Sequence, residues 1–173
     1  MIKAPDPWRV GAVLYFIRKG KPQFLVFDRD SKNWGGTLMF GWGGRIRPSE
    51  KRLAHEKDVS IKALWREKRE ELNTLLPHKD ILEANPLFSV LHENEKAKER
   101  SAGTAVMVRI TEKTAKHIIK NQHLLKELKN PRIASLKELE AIHSKYPERI
   151  QPHYRQFFPI VRDHFASRRL SRT

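Results

Sequence analysis

Three glutamates in the run Arg66-Glu67-Lys68-Arg69-Glu70-Glu71 are the residues of this sequence best suited to chemistry. On a helix, Glu67, Glu70 and Glu71 stand at i, i+3 and i+4 and share one face. Carboxylates gathered this way repel one another unless something positive lies among them, and hard oxygen ligands of this kind suit Mg²⁺ or Mn²⁺ rather than zinc. Arg66, four residues before Glu70, can orient a carboxylate through a charge-assisted hydrogen bond. The competing interpretation is a solvated helix face laced with ion pairs, because Lys62, Arg66, Lys68 and Arg69 lie close by.

The segments that would position this helix can be read along the chain. RVGAVLYFIR, from Arg9 to Arg18, and QFLVFDRD, after a turn at Lys19 to Pro22, suit two antiparallel strands. The following SKNWGGTLMFGWGGRI contains five of the eight glycines, so the backbone there is expected to bend tightly around something. A helix capped by Asp58 or Ser60 should present Ile61, Leu64, Trp65, Leu72 and Leu75 at helical spacing and end at Pro77. Strands are expected at PLFSVLH and GTAVMVRI, joined by the charged linker ENEKAKERSA as a long exposed hairpin loop. Thr111 to Leu128 reads as helical or partly helical up to the break at Pro131. Ser135 with Glu138 forms a capping-box start for the next helix. In HYRQFFPIVRDHF, Phe157, Phe158, Val161 and Phe165 fall on one helical face, with Pro159 implying a kink or a helix start. The pattern implies an α/β chain of the α+β type: a mixed β-sheet with helices on both sides, in a single domain over residues 1–173 with a frayed tail at 166–173.

Bulk composition narrows the function classes. A chain of 173 residues with 39% hydrophobic and 32% charged residues suits one soluble domain, and no apolar run is long enough to span a bilayer. The N-terminal MIKAPDPWRV lacks a signal-peptide core, which gives the expectation of a cytoplasmic protein without a membrane partner. With no cysteine there is no disulfide, thiolate metal site or thiol nucleophile. The formal charge of +15 favours phosphate-rich ligands, RNA among them. Neither a GxxxxGK phosphate loop nor a GxSxG elbow occurs.

A strand pair, a Trp-containing loop ending in Gly43-Gly44 and then an RExxEE helix resemble the Nudix hydrolases, whose signature is written G-x5-E-x7-R-E-U-x-E-E-x-G-U with U aliphatic. Arg66, Glu67, Glu70 and Glu71 match the RExxEE core in full. The resemblance implies a Nudix-like α/β/α sandwich and an Mg²⁺- or Mn²⁺-dependent pyrophosphohydrolase acting on a nucleoside diphosphate linked to another moiety. It further implies that Glu67, Glu70 and Glu71 and the Gly43 carbonyl are metal ligands and that Arg66 braces Glu67. Glu127 resembles the additional acidic residue that such enzymes carry near the last strand, with Glu93 and Glu95 as competitors. Arg45, Arg47 and Arg109 would clamp phosphates, and Trp42, with Trp34 and Phe40, could stack on a base or plug the core.

The departures from the signature are specific. Counted back from Arg66, its Gly falls on Arg52 and its Glu on Asp58, so matching Gly44 needs about eight extra loop residues. Lys68 holds an aliphatic position, and Asn73-Thr74 replaces Gly-U. The alternative these departures favour, together with the charge, is a catalytically weak or inactive Nudix-like RNA-binding or ribonucleoprotein component.

Overall fold

The computed structural model describes residues 9–30, 36–47, 49, 56–72, 74–94 and 99–170, with backbone alone at 56–60, 88–94, 99–102, 169 and 170. Trp34, Asn73 and Glu95 lie outside these residues, as does the side chain of Glu93.

Strand β1 (Arg9–Arg18) is central, and its residues Val10 to Phe16 are buried without exception, so both faces are covered. That explains why it reads as a continuous apolar run instead of an alternation. It turns through Lys19 and Gly20, both with positive φ, into β2 (Lys21–Arg29), the geometry a two-residue hairpin requires. The glycine-rich segment folds back as two short strands: β3 (Leu38–Met39) on β2 and β4 (Gly43–Arg45) on β1.

Helix α1 (Glu56–Glu71) begins before both Asp58 and Ser60 and stops well short of Pro77. Leu72, Leu75 and Leu76 are buried beyond its end, so their helical spacing reports burial in a turn. Strands β5 (Ile81–Asn94) and β6 (Glu99–Ile110) pair antiparallel as far as Asn94 opposite Glu99. Residues 93, 94 and 99–102 of the charged linker expected as loop are therefore strand, because the ladder is made by backbone groups whatever the side chains carry. β6 runs parallel to β1, which makes the sheet mixed.

Helix α2 (Glu112–Lys120) is capped by the Thr111 hydroxyl. Strand β7 (Leu128–Ser135) pairs with β2, across a register shift at Val26/Asp28, where helix and then a break were expected. Pro131 and Asn130, the latter at φ 49°, disguise it. An edge strand tolerates both, since its outer amides need no partner. The Ser135–Glu138 capping box opens α3 (Leu136–Lys145) as anticipated.

Helix α4 (Pro152–Leu170) carries Pro159 within it, so Pro159 is not its start. Residues 166–170 of the expected tail are its last turn. Phe157, Phe158, Val161 and Phe165 are all buried, and Phe165 meets Tyr15 and Phe24 edge-on at 5.1 and 5.6 Å. The mixed sheet between helices is an α/β/α sandwich. Among the described residues no helix is long and apolar enough to cross a membrane.

Candidate active site

Burial divides the glutamate helix. Ala63 and Leu64 point into the core, and the Trp42 indole N–H donates to the Leu64 carbonyl at 2.8 Å, pinning α1 to the glycine-rich segment. The helix face carrying Glu67 and Glu71 is thereby pressed against β4. Glu67 is 13% exposed and Glu71 6%, whereas Glu70 is 49% exposed and paired with Arg47 at 3.1 Å. The expected convergence of three carboxylates is thus incomplete. Among the described residues no three acidic or imidazole side chains are gathered tightly enough to enclose an ion. Glu67 and Glu71 form the inward pair and Glu70 stands at the rim.

Gly44 lies so close to Glu67 that a Cβ there would collide with its carboxylate. The loop between them is longer than the Nudix spacing, yet the double glycine and the helix still meet. Arg66 hydrogen-bonds Glu67, lies 3.6 Å from Glu70 and donates to the Arg45 carbonyl at 2.7 Å, so one guanidinium ties helix to β4. Burial raises the Glu67 carboxyl above its usual range against the pull of Arg66.

Glu71 is the most perturbed acid of the site. Burial pushes its pKa up to about 8; Arg29 opposes the shift, Glu127 and Glu67 reinforce it, and a Gly43 backbone hydrogen bond opposes it. One of its oxygens, Oε2, is buried with no hydrogen-bond partner. An unsatisfied buried acceptor costs about 1–3 kcal/mol, which a bound cation would offset. These donors fit a hard divalent ion: two inward carboxylates, one lacking a partner, beside a glycine pair that leaves room for them.

The opposite wall comes from elsewhere in the chain. Arg29, at the end of β2, pairs with Glu127 at 2.8 Å and lies 3.8 Å from Glu71. The Asp30 amide donates to the Glu127 carbonyl at 2.8 Å, which fixes this acid beside β2. Glu127 therefore does face the glutamate helix. Between the walls lies a cleft of about 470 Å³, also lined by Arg9, Arg45, Lys126, Gln151 and His153. No motif or spacing marks Arg29, Arg9, Lys126, Gln151 or His153 in the sequence. Each is an ordinary polar residue locally and acquires its position only when β2, β7 and α4 come together.

Two sequence expectations are corrected. Trp42 is fully buried, and its carbonyl accepts the Tyr154 hydroxyl at 3.0 Å. It is a core plug and cannot stack on a ligand; Phe40 is buried in the same way. Arg109 pairs with Glu83 at 3.2 Å and lies in register with Tyr15, four residues along β1 from Gly11 at the cleft. At roughly 3.3 Å per residue that is about 13 Å away, so Arg109 does not clamp a phosphate there. Arg47 is engaged with Glu70 outside the cleft wall, while Arg45 lines the cleft. Lys68, the misfit at an aliphatic position, is 7% exposed and donates to the Leu76 carbonyl at 2.8 Å, tying the helix to the segment after it.

The architecture matches solved structures over nearly the whole chain. A MutT/Nudix family protein from Listeria innocua aligns at TM-score 0.62 and 13% identity, covering 97% of this chain and 99% of that one. The chain has the Nudix fold. An Ap4A hydrolase from C. elegans, solved as a binary complex, aligns at TM-score 0.56 and 13% identity, covering 93% and 98%. The NUDIX domain of Shewanella oneidensis NrtR, solved with ADP ribose, aligns at TM-score 0.51 and 14% identity, covering 81% and 79%. In sequence, no family model and no curated protein matches.

Proposed function

We propose that this Nudix-fold chain is a metal-dependent pyrophosphohydrolase that cleaves a nucleoside diphosphate linked to another moiety. The observation that carries this reading is Glu71: a buried carboxyl with one partnerless oxygen, set beside Gly43 and Glu67 at the floor of a polar cleft. A protein that only bound polyanions would gain nothing from burying acids there.

Glu67 and Glu71 would hold Mg²⁺ or Mn²⁺, with Glu70 reaching in from the rim and the Gly43 backbone completing the set. When bound, the cation supplies Lewis-acid charge that offsets the negative charge growing on the phosphoryl oxygens. Arg66 aims Glu67 and opposes the rise that burial imposes on its carboxyl. Glu127, held by Arg29, would accept the proton of an attacking water. Arg45 offers positive charge at the cleft mouth for the rest of the substrate.

The experiment is a hydrolysis panel with Mg²⁺ and Mn²⁺: nucleoside triphosphates, Ap4A and other dinucleoside polyphosphates, ADP-ribose, nucleotide sugars and 5′-capped RNA. Glu71→Gln should lower turnover of the best substrate at least ~10²-fold, on the order of 3 kcal/mol of barrier. Equal rates for Glu71→Gln and the unaltered protein would end the metal-site reading. The charge of +15 favours a second reading, an RNA-binding or ribonucleoprotein component of this fold. Salt-steep RNA affinity combined with no detectable cation binding would carry it instead.

A further inference from the structure

Strand β7 carries one residue more than β2 can pair. Val26 stands opposite Arg132 and Asp28 opposite Lys129, so Asn130 and Pro131 together face the single residue Phe27. This is a β-bulge, a device that re-aims side chains a regular ladder would place elsewhere. An unbroken ladder continued from the Val26–Arg132 pair would set Lys129 opposite Arg29 and Leu128 opposite Asp30. With the extra residue, Leu128 stands opposite Arg29, and the Asp30 amide donates to the Glu127 carbonyl at 2.8 Å. Removing the bulge would move Glu127 one residue further along the strand, a step of about 3.3 Å. That step is enough to break its 2.8 Å contact with Arg29.

Three side chains outside the cleft close on this bulge. Asn130 takes φ 49°, in the left-handed region that asparagine tolerates and β-branched residues avoid. Its side-chain amide donates to Asp28 Oδ2 at 3.0 Å. Arg132 donates to Asp28 Oδ1 at 3.0 Å and to the Asn130 carbonyl at 3.1 Å. Both oxygens of one carboxylate on β2 are thus engaged by the residues on either side of Pro131 in β7. The Asp28 and Arg132 side chains are 25% and 45% exposed, and an ion pair this open to solvent adds little to global stability. What the cluster fixes is register, and register decides where Glu127 stands. None of the three residues lines the cleft.

We propose that the Asp28–Asn130–Arg132 cluster positions Glu127 for the reaction: by holding the bulge in β7 it sets Glu127 against Arg29 at the cleft wall. All three are positioning residues that act through Glu127. The inference deepens the hydrolytic reading and rests on it for the role of Glu127 as proton acceptor.

The test uses the full chain and two readouts, one of which needs no substrate. Asn130→Val opposes the left-handed backbone, whereas Asn130→Gly permits it. Hydrogen exchange at the Asp30 amide, which reports the bond to the Glu127 carbonyl, should lose protection at least ~10-fold in Asn130→Val and stay within about 3-fold in Asn130→Gly. With Mn²⁺ and the panel substrate turned over fastest, Asn130→Val should lower the turnover number ~10-fold with KM within about 2-fold, and Asn130→Gly should recover most of that loss. In a Glu127→Gln background Asn130→Val should cost nothing further, because both changes remove one function. Arg132→Gln, a milder change at an exposed side chain, should move both readouts in the same direction by about 3-fold and serves if Asn130→Val does not fold. Asp30 protection unchanged in the variants that fold overturns the proposal. So does a full further loss of turnover in the Glu127→Gln background, since the cluster would then act on the fold in general. Failure of the hydrolytic reading looks different: no panel substrate is turned over, while Asp30 protection still depends on residue 130, which leaves the bulge as what places Glu127.

Discussion

The two acidic walls of the cleft carry the same chemistry and are built in opposite ways. On the α1 side, Glu67 and Glu71 come from one helical turn, and Arg66 in that turn braces Glu67. On the other side, Arg29 and Glu127 are 98 residues apart and meet only because β7 pairs with β2. The first wall takes its geometry from helix periodicity. The second takes it from sheet topology, with a guanidinium between Glu127 and Glu71 as the link across the cleft. Disturbing the local wall should weaken cation binding, whereas disturbing the assembled wall should slow the reaction and leave the cation in place.

The sharpest way to break the local wall without touching an acid is Gly44→Ala. Its Cβ would occupy the space of the Glu67 carboxylate, and the obstacle is a side chain wedged between helix and strand, not a free end. Overpacking of this kind typically costs ~1–3 kcal/mol of stability, and Glu67 must leave its position. Calorimetric titration with Mn²⁺ should show affinity reduced by ~10-fold or more, with activity falling in parallel. Unaltered Mn²⁺ affinity would mean that Glu67 is no ligand.

This contrast also marks what could be read from sequence. Arg66, Glu67, Glu70 and Glu71 were legible because a four-residue helical period places them without knowledge of the fold. So were β1, whose apolar run is unbroken, and the Ser135–Glu138 capping box, which is a local hydrogen-bond device. The unequal burial of Glu70 and Glu71, adjacent in sequence, was not legible, because it depends on where β4 lies. Strand β7 was hidden by Pro131 and by Asn130 in the left-handed region. With it went the reason Glu127 stands beside Arg29. Trp42 misled for a related reason: a Trp among glycines resembles an exposed stacking surface until Leu64 supplies a partner for its indole N–H.

Arg29→Gln tests the assembled wall. Glu127 loses its partner at 2.8 Å and Glu71 its nearest positive charge. The turnover number should fall ~10-fold while KM changes little, because a displaced proton acceptor slows the chemical step without altering ground-state binding. The double variant with Glu127→Gln should be no slower than the worse of the two single variants, since both changes remove one interaction. Strictly additive losses would separate the two residues and make Arg29 a substrate contact.

The smallest effect is the one that needs no mutation, the pH dependence of stability in the absence of a cation. With its pKa raised in the folded state to about 8, the Glu71 carboxyl binds a proton more tightly in the folded protein than in the unfolded chain. The resulting stabilisation is fully present below the unfolded value of 4.5, and it is lost as pH rises through about 8. Glu112, held down to about 2 chiefly by Arg18 and then Lys116, and Glu138, lowered by Ser135, act in the opposite sense. Their contributions are present above 4.5 and are lost only as pH falls below it, so they do not mask the effect. His164, lowered by burial and then by Arg168, acts in the opposite sense within this range, so the effect is read as a difference: between pH 5 and pH 8 the metal-free melting temperature should fall relative to that of Glu71→Gln. Mn²⁺ should raise the melting temperature more at the upper end of this range than at the lower, because a cation must displace the proton on Glu71 and does so more readily where protons are scarce. A Mn²⁺ effect equal across the range would move the cation away from Glu71 and toward Glu67 and Glu70.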